Sequence, residues 1–210
     1  MSVTDGISDM MTLVMNLEEM ISKNRQRLSG KMIRIIGYDR TRLNKLCLEV
    51  DPKRNYVDIA TYLNKDQSVI SGESNMVEMI ARKAKNEGAH FIIPILSLAF
   101  HSPLCKVMKG LTDEVFDQFE FTDADSRVYS CFSGRPSVVG KEIQRNLSKQ
   151  IYHPIQWETI ISDLNSDLHT LFIELGPGCT VSGNTRLLQP FWDYRWIHTV
   201  KDWEKLMNDL

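Results

Sequence analysis

Between residues 31 and 96, short apolar segments follow one another in an order that few folds accommodate. Alternation or a short apolar run predicts each strand, and apolar residues spaced three and four apart predict each helix. The predicted strands lie at 32–36, 56–62, 67–71 and 91–96, and the predicted helices at 43–50 and 77–84. This β-α-β-β-α-β order indicates a ferredoxin-like, split β-α-β subdomain.

The strand at 91–96 is a continuous apolar run that is typical of an interior strand, although Pro94 favours a place at an edge. Beyond it the pattern predicts a helix at 139–151, a buried parallel strand at 170–175 and a helix at 179–188. Such an alternation of strands and helices predicts an α/β layer. No linker-like tract or repeat separates this layer from the smaller subdomain, which is therefore expected to be inserted in it.

Composition restricts the possible functions. The 210 residues suffice for one substantial domain, and 42% hydrophobic with 25% charged residues is an ordinary globular composition. A formal net charge of -2 argues against a nucleic-acid partner, and four singly placed cysteines indicate neither a zinc site nor a redox dithiol. The sequence shows no signal-peptide pattern and no apolar run of about 20 residues, so we expect a cytoplasmic protein without a membrane partner.

The first predicted helix, residues 7–28, has a broad apolar face and a basic end. The residues that mark this face are Ile7, Met10, Met11, Leu13, Val14, Leu17, Met20 and Ile21. A methionine-rich face can form a binding groove, but core packing is the favoured interpretation. A helix this apolar needs another apolar surface to cover it.

His101 lies between the strand at 91–96 and a predicted helix for which Ser102 is the N-cap and Pro103 the first residue. The positive end of a helix dipole disfavours imidazolium, so we expect a neutral ring that can accept a proton. From spacing alone, a histidine that caps or packs is the simpler interpretation, and a general base is the alternative.

Four stretches carry a more specific signal. They are residues 98–103 (L-A-F-H-S-P), 150–157 (Q-I-Y-H-P-I-Q-W), 174–178 (E-L-G-P-G) and, more loosely, 127–134 (R-V-Y-S-C-F-S-G). Together and in this order they resemble the motifs of malonyl-CoA:acyl-carrier-protein transacylases and of polyketide synthase acyltransferase domains. The resemblance runs from about residue 6 to about residue 188.

The resemblance implies part of an α/β-hydrolase-like acyltransferase large subdomain with the ferredoxin-like small subdomain inserted in it. The expected domains are a helical segment of the large subdomain at 1–30, the small subdomain at 31–96, and the C-terminal part of the large subdomain at 97–210.

The implied function is transfer of a malonyl or other acyl group from coenzyme A to an acyl-carrier protein, in polyketide or fatty-acid biosynthesis. His101 matches the family's general-base histidine. Gln150 matches the residue whose main-chain carbonyl holds the imidazole, as an aspartate does in a hydrolytic triad. Coenzyme A enters as a thioester substrate, and neither a bound cofactor nor a metal is expected.

The family's nucleophile is a serine in a G-H-S-x-G elbow, and the sequence contains no such motif. Ser71 and Ser182 each precede a glycine but lack the other features of the elbow. The match starts where the elbow has just ended. We therefore expect a C-terminal portion or one half of a split acyltransferase, inactive alone, with a serine-bearing N-terminal half as a further partner.

Two positions point to different acyl groups. Leu17 falls about where malonyl-selective relatives carry an arginine that pairs with the free carboxylate, unless Arg25 or Arg27 serves instead. Ala99 and Phe100 resemble the A-F-H form of the motif found in malonyl-selective domains. They are the predicted substrate-binding residues, with core packing as the alternative for Phe100.

Three other functions stay open at this point. An acyl hydrolase of the same fold, which removes acyl groups from carrier proteins, also lacks the arginine. A non-catalytic module would keep a carrier-protein surface without the chemistry. A thioesterase that uses Ser182 or Cys179 would need that side chain close to His101.

Overall fold

The computed structural model describes residues 3–164 and 171–209, and the chain divides into two units, residues 1–157 and 158–210. The first unit contains α1 (Val3–Lys23), β1 (Ser29–Ile36), α2 (Arg40–Val50), β2 (Val57–Asn64), β3 (Gln67–Gly72), α3 (Ser74–Asn86), β4 (Phe91–Leu98), a 3-10 helix (Pro103–Met108), α4 (Lys109–Phe116), β5 (Val128–Tyr129), β6 (Pro136–Ser137) and α5 (Gly140–Gln150). α6 (Trp157–Leu164) begins at its last residue. The second unit continues with β7 (Leu171–Leu175), α7 (Thr180–Arg186), β8 (Asp193–Ile197) and α8 (Val200–Asp209).

The main sheet of the first unit is antiparallel and has the strand order β2-β3-β1-β4. This is the order of a ferredoxin-like sheet, and its elements follow the predicted β-α-β-β-α-β succession. The expected boundaries of the small subdomain, 31 and 96, stay a prediction, because the division of the chain between residues 157 and 158 does not test them.

One face of this sheet forms a core with α2 and α3. Ile33, Ile59 and Ile70 are cross-strand partners on that face, and all three are buried. The helices start where side chains cap them: Asp39 accepts a hydrogen bond from the amide of Arg42 at 2.9 Å, and Glu73 accepts one from the amide of Met76 at 2.9 Å. Because every second strand residue points to this face, the alternation visible in the sequence is what builds the core.

β4 differs from its expected burial. It is an edge strand, as Pro94 indicates, and pairs with β1 alone among the described strands. The interpretation as an interior strand is wrong, because Phe91, Ile93 and Ile95 are 61%, 44% and 51% exposed. A short apolar run in the sequence does not show whether a second layer covers the strand.

α1 packs on one side only. Leu13, Leu17 and Ile21 lie against a second buried cluster that includes Met20 and Met108, which confirms core packing for this side of the helix. Core packing is the wrong interpretation for the opposite side of α1, where five apolar side chains are more than half exposed. These residues are Ile7, Met10, Met11, Val14 and Met15. α1 therefore presents a second apolar face to solvent.

The segment after His101 is not the single capped helix expected from the sequence. A 3-10 helix comes first and α4 follows it directly. Ser102 and Pro103 occupy the predicted N-cap and first helical positions, but the hydroxyl of Ser102 donates to the carbonyl of Ala99 at 2.6 Å and makes no capping hydrogen bond. Met108, Thr112, Val115 and Phe116 are the buried residues between 108 and 116.

In the second unit, β7 and β8 pair in parallel with α7 between them, so the predicted parallel strand is confirmed. The expected start of that strand at residue 170 lies outside the described residues. Its expected burial is wrong, because none of the residues Leu171–Leu175 is buried and Leu175 is 72% exposed. Within the part of the chain that the structure describes, no helix combines the length and apolar character needed to cross a bilayer.

Replacing Ile70 tests the sheet core. Ile70→Ala should lower the free energy of unfolding by about 3 kcal/mol, because it removes fully buried carbons and leaves a cavity. Urea denaturation followed by circular dichroism measures the change. Met79→Ala is the control, since Met79 on α3 is 48% exposed and its loss should change stability by less than about 0.5 kcal/mol. Equal effects of the two substitutions would contradict this core.

Candidate functional site

His101 occupies the turn between β4 and the 3-10 helix with an unusual backbone conformation. Its φ is 59°, in the left-handed region that residues other than glycine rarely adopt. The main-chain amide of His101 donates to the carbonyl of Ile151 at 2.8 Å. This hydrogen bond joins the turn to the residue that follows α5.

The imidazole is held by the neighbouring carbonyl. Nδ1 of His101 lies 2.8 Å from the main-chain oxygen of Gln150. A carbonyl oxygen accepts hydrogen bonds and cannot donate one, so Nδ1 carries the proton in the neutral ring. The lone pair is then on Nε2, which is the nitrogen able to accept a proton from another group.

Burial keeps this ring neutral. Desolvation lowers the pKa of His101 from its usual value of 6.5, and the carbonyls of Gln150 and His153 oppose the shift without cancelling it. The cause is therefore burial, whereas the sequence led us to expect a helix dipole. The short 3-10 segment that follows His101 has no α-helical N-terminus beside the ring.

The stretch 150–157 is anchored at several points of the same unit. The amide of Ile155 donates to the carbonyl of Ala60 at 2.8 Å, and the amide of Tyr62 donates to the carbonyl of Ile155 at 3.1 Å, so this stretch joins β2. The amide of Gln156 donates to the carbonyl of Cys131 at 2.9 Å. Three of the four motif stretches thus meet around His101 and Gln150.

A cavity of about 300 Å³ lies beside the ring. It is lined by Leu17 and Ile21 of α1, Phe100, His101, Thr112 and Phe116 of α4, and Leu147, Gln150 and Ile151 at the end of α5. Of the predicted site residues, His101, Gln150 and Phe100 are therefore together at one cavity, and Leu17 is with them.

Ala99 has a different position. It is fully buried and is not among the residues that line the cavity. Its carbonyl accepts hydrogen bonds from Ser102 and Cys105, and a Cβ on Gly30 would lie 2.7 Å from the Cβ of Ala99. The structure thus shows Ala99 packed beneath the His101 turn, and its contact with substrate stays a prediction.

Sequence reasoning missed Thr112, Phe116, Leu147 and Ile151 as cavity residues. The spacing of Met108, Thr112 and Phe116, four residues apart, was the available signal, but a threonine interrupts its apolar pattern. The hydroxyl of Thr112 donates to the carbonyl of Met108 at 2.7 Å, which lets the side chain be buried.

The fourth motif stretch belongs to the second unit. There the carboxylate of Glu174 accepts hydrogen bonds from the amide of Val181 at 3.0 Å and from the amide and the hydroxyl of Ser182 at 2.8 and 2.5 Å. Nε1 of Trp196 donates to the same hydroxyl at 2.7 Å. Ser182 is thus buried and hydrogen-bonded within its own unit. Its hydroxyl is therefore poorly accessible as the nucleophile of the thioesterase alternative.

Among residues 3–164 and 171–209, histidine, cysteine and acidic side chains form no group of three that could hold a metal ion.

The arrangement resembles solved structures of one enzyme class. The malonyl-CoA:acyl carrier protein transacylase of Xanthomonas oryzae superposes with a TM-score of 0.84 at 21% identity, covering 94% of this chain and 63% of that chain. A type II polyketide synthase acyl-carrier protein in complex with its malonyl-transacylase gives a TM-score of 0.82 at 22% identity, with coverages of 93% and 64%. The fold is that of an α/β acyltransferase, as predicted.

Curated relatives make the resemblance specific, although no family model matches the chain. The chain is 36% identical over 155 residues to the malonyl CoA-acyl carrier protein transacylase of Bacillus subtilis, covering 73% of this chain and 49% of the relative. A Staphylococcus aureus protein of the same name is 27% identical over 174 residues, with coverages of 82% and 56%. The predicted resemblance to these transacylases is confirmed, and the chain spans about half the length of the curated relatives it matches.

The protonation of His101 can be measured directly. Its imidazole should titrate below 6.5, because burial disfavours the charged ring. The unfolded chain then takes up this proton first, so the histidine should destabilise the fold as the pH falls through about 6.5. NMR of the ring carbons, assigned by comparison with His101→Gln, gives the midpoint. A midpoint at or above 6.5 would contradict the buried neutral ring.

Proposed function

We propose that this chain supplies the general base for transfer of an acyl group from a coenzyme A thioester to the thiol of an acyl-carrier protein, in fatty-acid or polyketide synthesis. The observation that carries the proposal is the hydrogen bond from Nδ1 of His101 to the carbonyl of Gln150, which leaves Nε2 as the basic nitrogen beside a cavity. The names of the relatives support the reaction class, and malonyl is the acyl group that those names give.

The chemistry proceeds through an ester. A serine hydroxyl attacks the thioester carbonyl while Nε2 of His101 takes its proton, and the carbon–sulfur bond then breaks as the ring returns that proton to the departing coenzyme A thiol. In the second half, the carrier-protein thiol gives its proton to His101 and attacks the ester carbonyl, and the ester carbon–oxygen bond then breaks as the ring returns that proton to the serine oxygen. Gln150 holds the ring through both halves and stabilises the imidazolium that forms in each.

The serine is proposed to come from sequence outside this chain. Ser71 is fully buried in β3, and Ser182 is bonded to Glu174 and Trp196. A serine-bearing segment, supplied by a longer form of this chain or by a separate chain, would also bring the oxyanion donors that acyl transfer needs.

The second apolar face of α1 supports such a segment. It consists of Ile7, Met10, Met11, Val14 and Met15, and each of these side chains is more than half exposed. Contiguous exposed apolar surface of this kind is typical of surfaces that another segment covers. Since the chain spans about half of its curated relatives, we propose that the serine-bearing segment covers this face.

Complementation tests the proposal. The chain is incubated with malonyl-CoA and acetyl-CoA, alone and beside a serine-bearing segment of the Bacillus subtilis relative, and intact mass reports acyl-enzyme. We expect a label in the paired sample, on the serine-bearing segment, followed by transfer to carrier protein. Absence of both label and association would contradict the proposal, and binding of carrier protein without any transfer would favour the non-catalytic module.

Two substitutions distinguish the role of the His101 ring from that of the Gln150 side chain. In the complemented enzyme, His101→Ala should lower kcat/KM for transfer by about 1000-fold, because the general base is lost. Gln150→Ala should change it by less than about tenfold, because the main-chain carbonyl that holds the ring remains. Steady-state transfer to carrier protein gives both values, and equal losses in the two variants would contradict the assigned roles.

The acyl hydrolase is the second candidate, and the presence of Leu17 at the cavity favours it. The same assay separates the two functions, because a hydrolase releases free acid from acyl-carrier protein whereas a transferase moves the group between thiols. The expected cytoplasmic location stays a prediction.

A further inference from the structure

The cavity beside His101 is lined mainly by apolar side chains. Six of its nine lining residues are leucine, isoleucine or phenylalanine: Leu17, Ile21, Phe100, Phe116, Leu147 and Ile151. They come from α1, from the residue before His101, from α4 and from the C-terminal end of α5, so apolar side chains from several elements line the space next to the ring. The ring of His101 is the one ionisable group on this lining as the described residues form it.

The two remaining polar residues offer little to an anion. Thr112 donates its hydroxyl proton to the carbonyl of Met108, and the main-chain oxygen of Gln150 accepts from His101. The side-chain amide of Gln150 is neutral. Arg25 and Arg27 follow the end of α1, are exposed, and are not part of the lining, so neither provides the guanidinium considered for this role.

A carboxylate placed in this cavity would lose its hydration without gaining a charged partner. Such desolvation is unfavourable unless hydrogen bonds or an opposite charge compensate it, and a guanidinium is the group that compensates it best. An aliphatic group, by contrast, gains from leaving water. The lowered pKa of His101 is an independent sign that this wall disfavours charge.

We propose that the cavity receives an uncharged, aliphatic acyl group, and that Leu17 is the residue that selects against an acyl group with a terminal carboxylate. The inference rests on the proposed acyl transfer and names its substrate class. It departs from the malonyl group in the names of the relatives.

Binding to the chain as it exists provides the test. Isovaleryl-CoA and malonyl-CoA are compared, because the isopropyl group of isovaleryl has nearly the shape of the terminal carboxylate of malonyl without its charge. NMR titration of the methyl resonances of Leu17, Leu147 and Ile151 reports occupation of the cavity and gives both dissociation constants. We expect isovaleryl-CoA to bind at least about tenfold more tightly, which is the scale on which apolar pockets discriminate.

Leu17→Arg should reverse this preference, because it places a fork of donors in the lining. Leu17→Met is the matched control, since it keeps length without adding charge and should retain the preference for isovaleryl-CoA. Circular dichroism of each variant establishes that it is folded. If Leu17→Arg does not fold, the comparison of the two ligands on the unsubstituted chain and on Leu17→Met decides the matter.

Equal or tighter binding of malonyl-CoA to the unsubstituted chain would overturn the inference, and so would methyl shifts confined to residues outside the cavity. Neither result bears on the proposed transfer, which is judged by acyl movement to carrier protein in the complemented enzyme. A preference for isovaleryl-CoA, with no transfer of isovaleryl, acetyl or malonyl groups to carrier protein in the complemented enzyme, would uphold the cavity assignment and reject the transfer.

Discussion

The contacts between His101 and the end of α5 are the constraint on which the site depends. One hydrogen bond ties the main chain of His101 to Ile151 and a second ties its ring to Gln150, each at 2.8 Å. Because backbone and ring are fixed by adjacent carbonyls, the imidazole has one tautomer and one direction. The left-handed backbone of His101 is unfavourable in isolation, and these contacts compensate for it.

The apolar wall around this histidine determines two properties at once. It removes water from the ring, which lowers the pKa of His101 and keeps the imidazole neutral, with its lone pair on Nε2. It also leaves no charged partner for an anionic group at the lining that the structure describes. A site that favours a neutral base through burial thereby disfavours a charged acyl group beside it, unless a cation is added.

The first unit has a sheet face that helices cover and a helix face whose apolar side chains are exposed. The sheet of β1 to β4 buries Ile33, Ile59 and Ile70 against α2 and α3 and needs no further cover on that face. α1 buries Met20 and partly buries Leu17, but exposes the apolar face that begins at Ile7. Since exposed apolar surface is unfavourable in water, this difference locates the place where we propose that another segment joins.

The sequence by itself determined the strand and helix order between residues 31 and 96, because the periods of two and 3.6 residues are local properties. It also placed His101 after β4 and, through the motifs, paired it with Gln150. The tertiary structure alone decided that β4 is exposed, that Ser102 turns back to Ala99, and that the cavity joins Leu17 to Phe116 and Leu147. The physical reason is that burial depends on neighbours distant in the chain, which local periodicity does not encode.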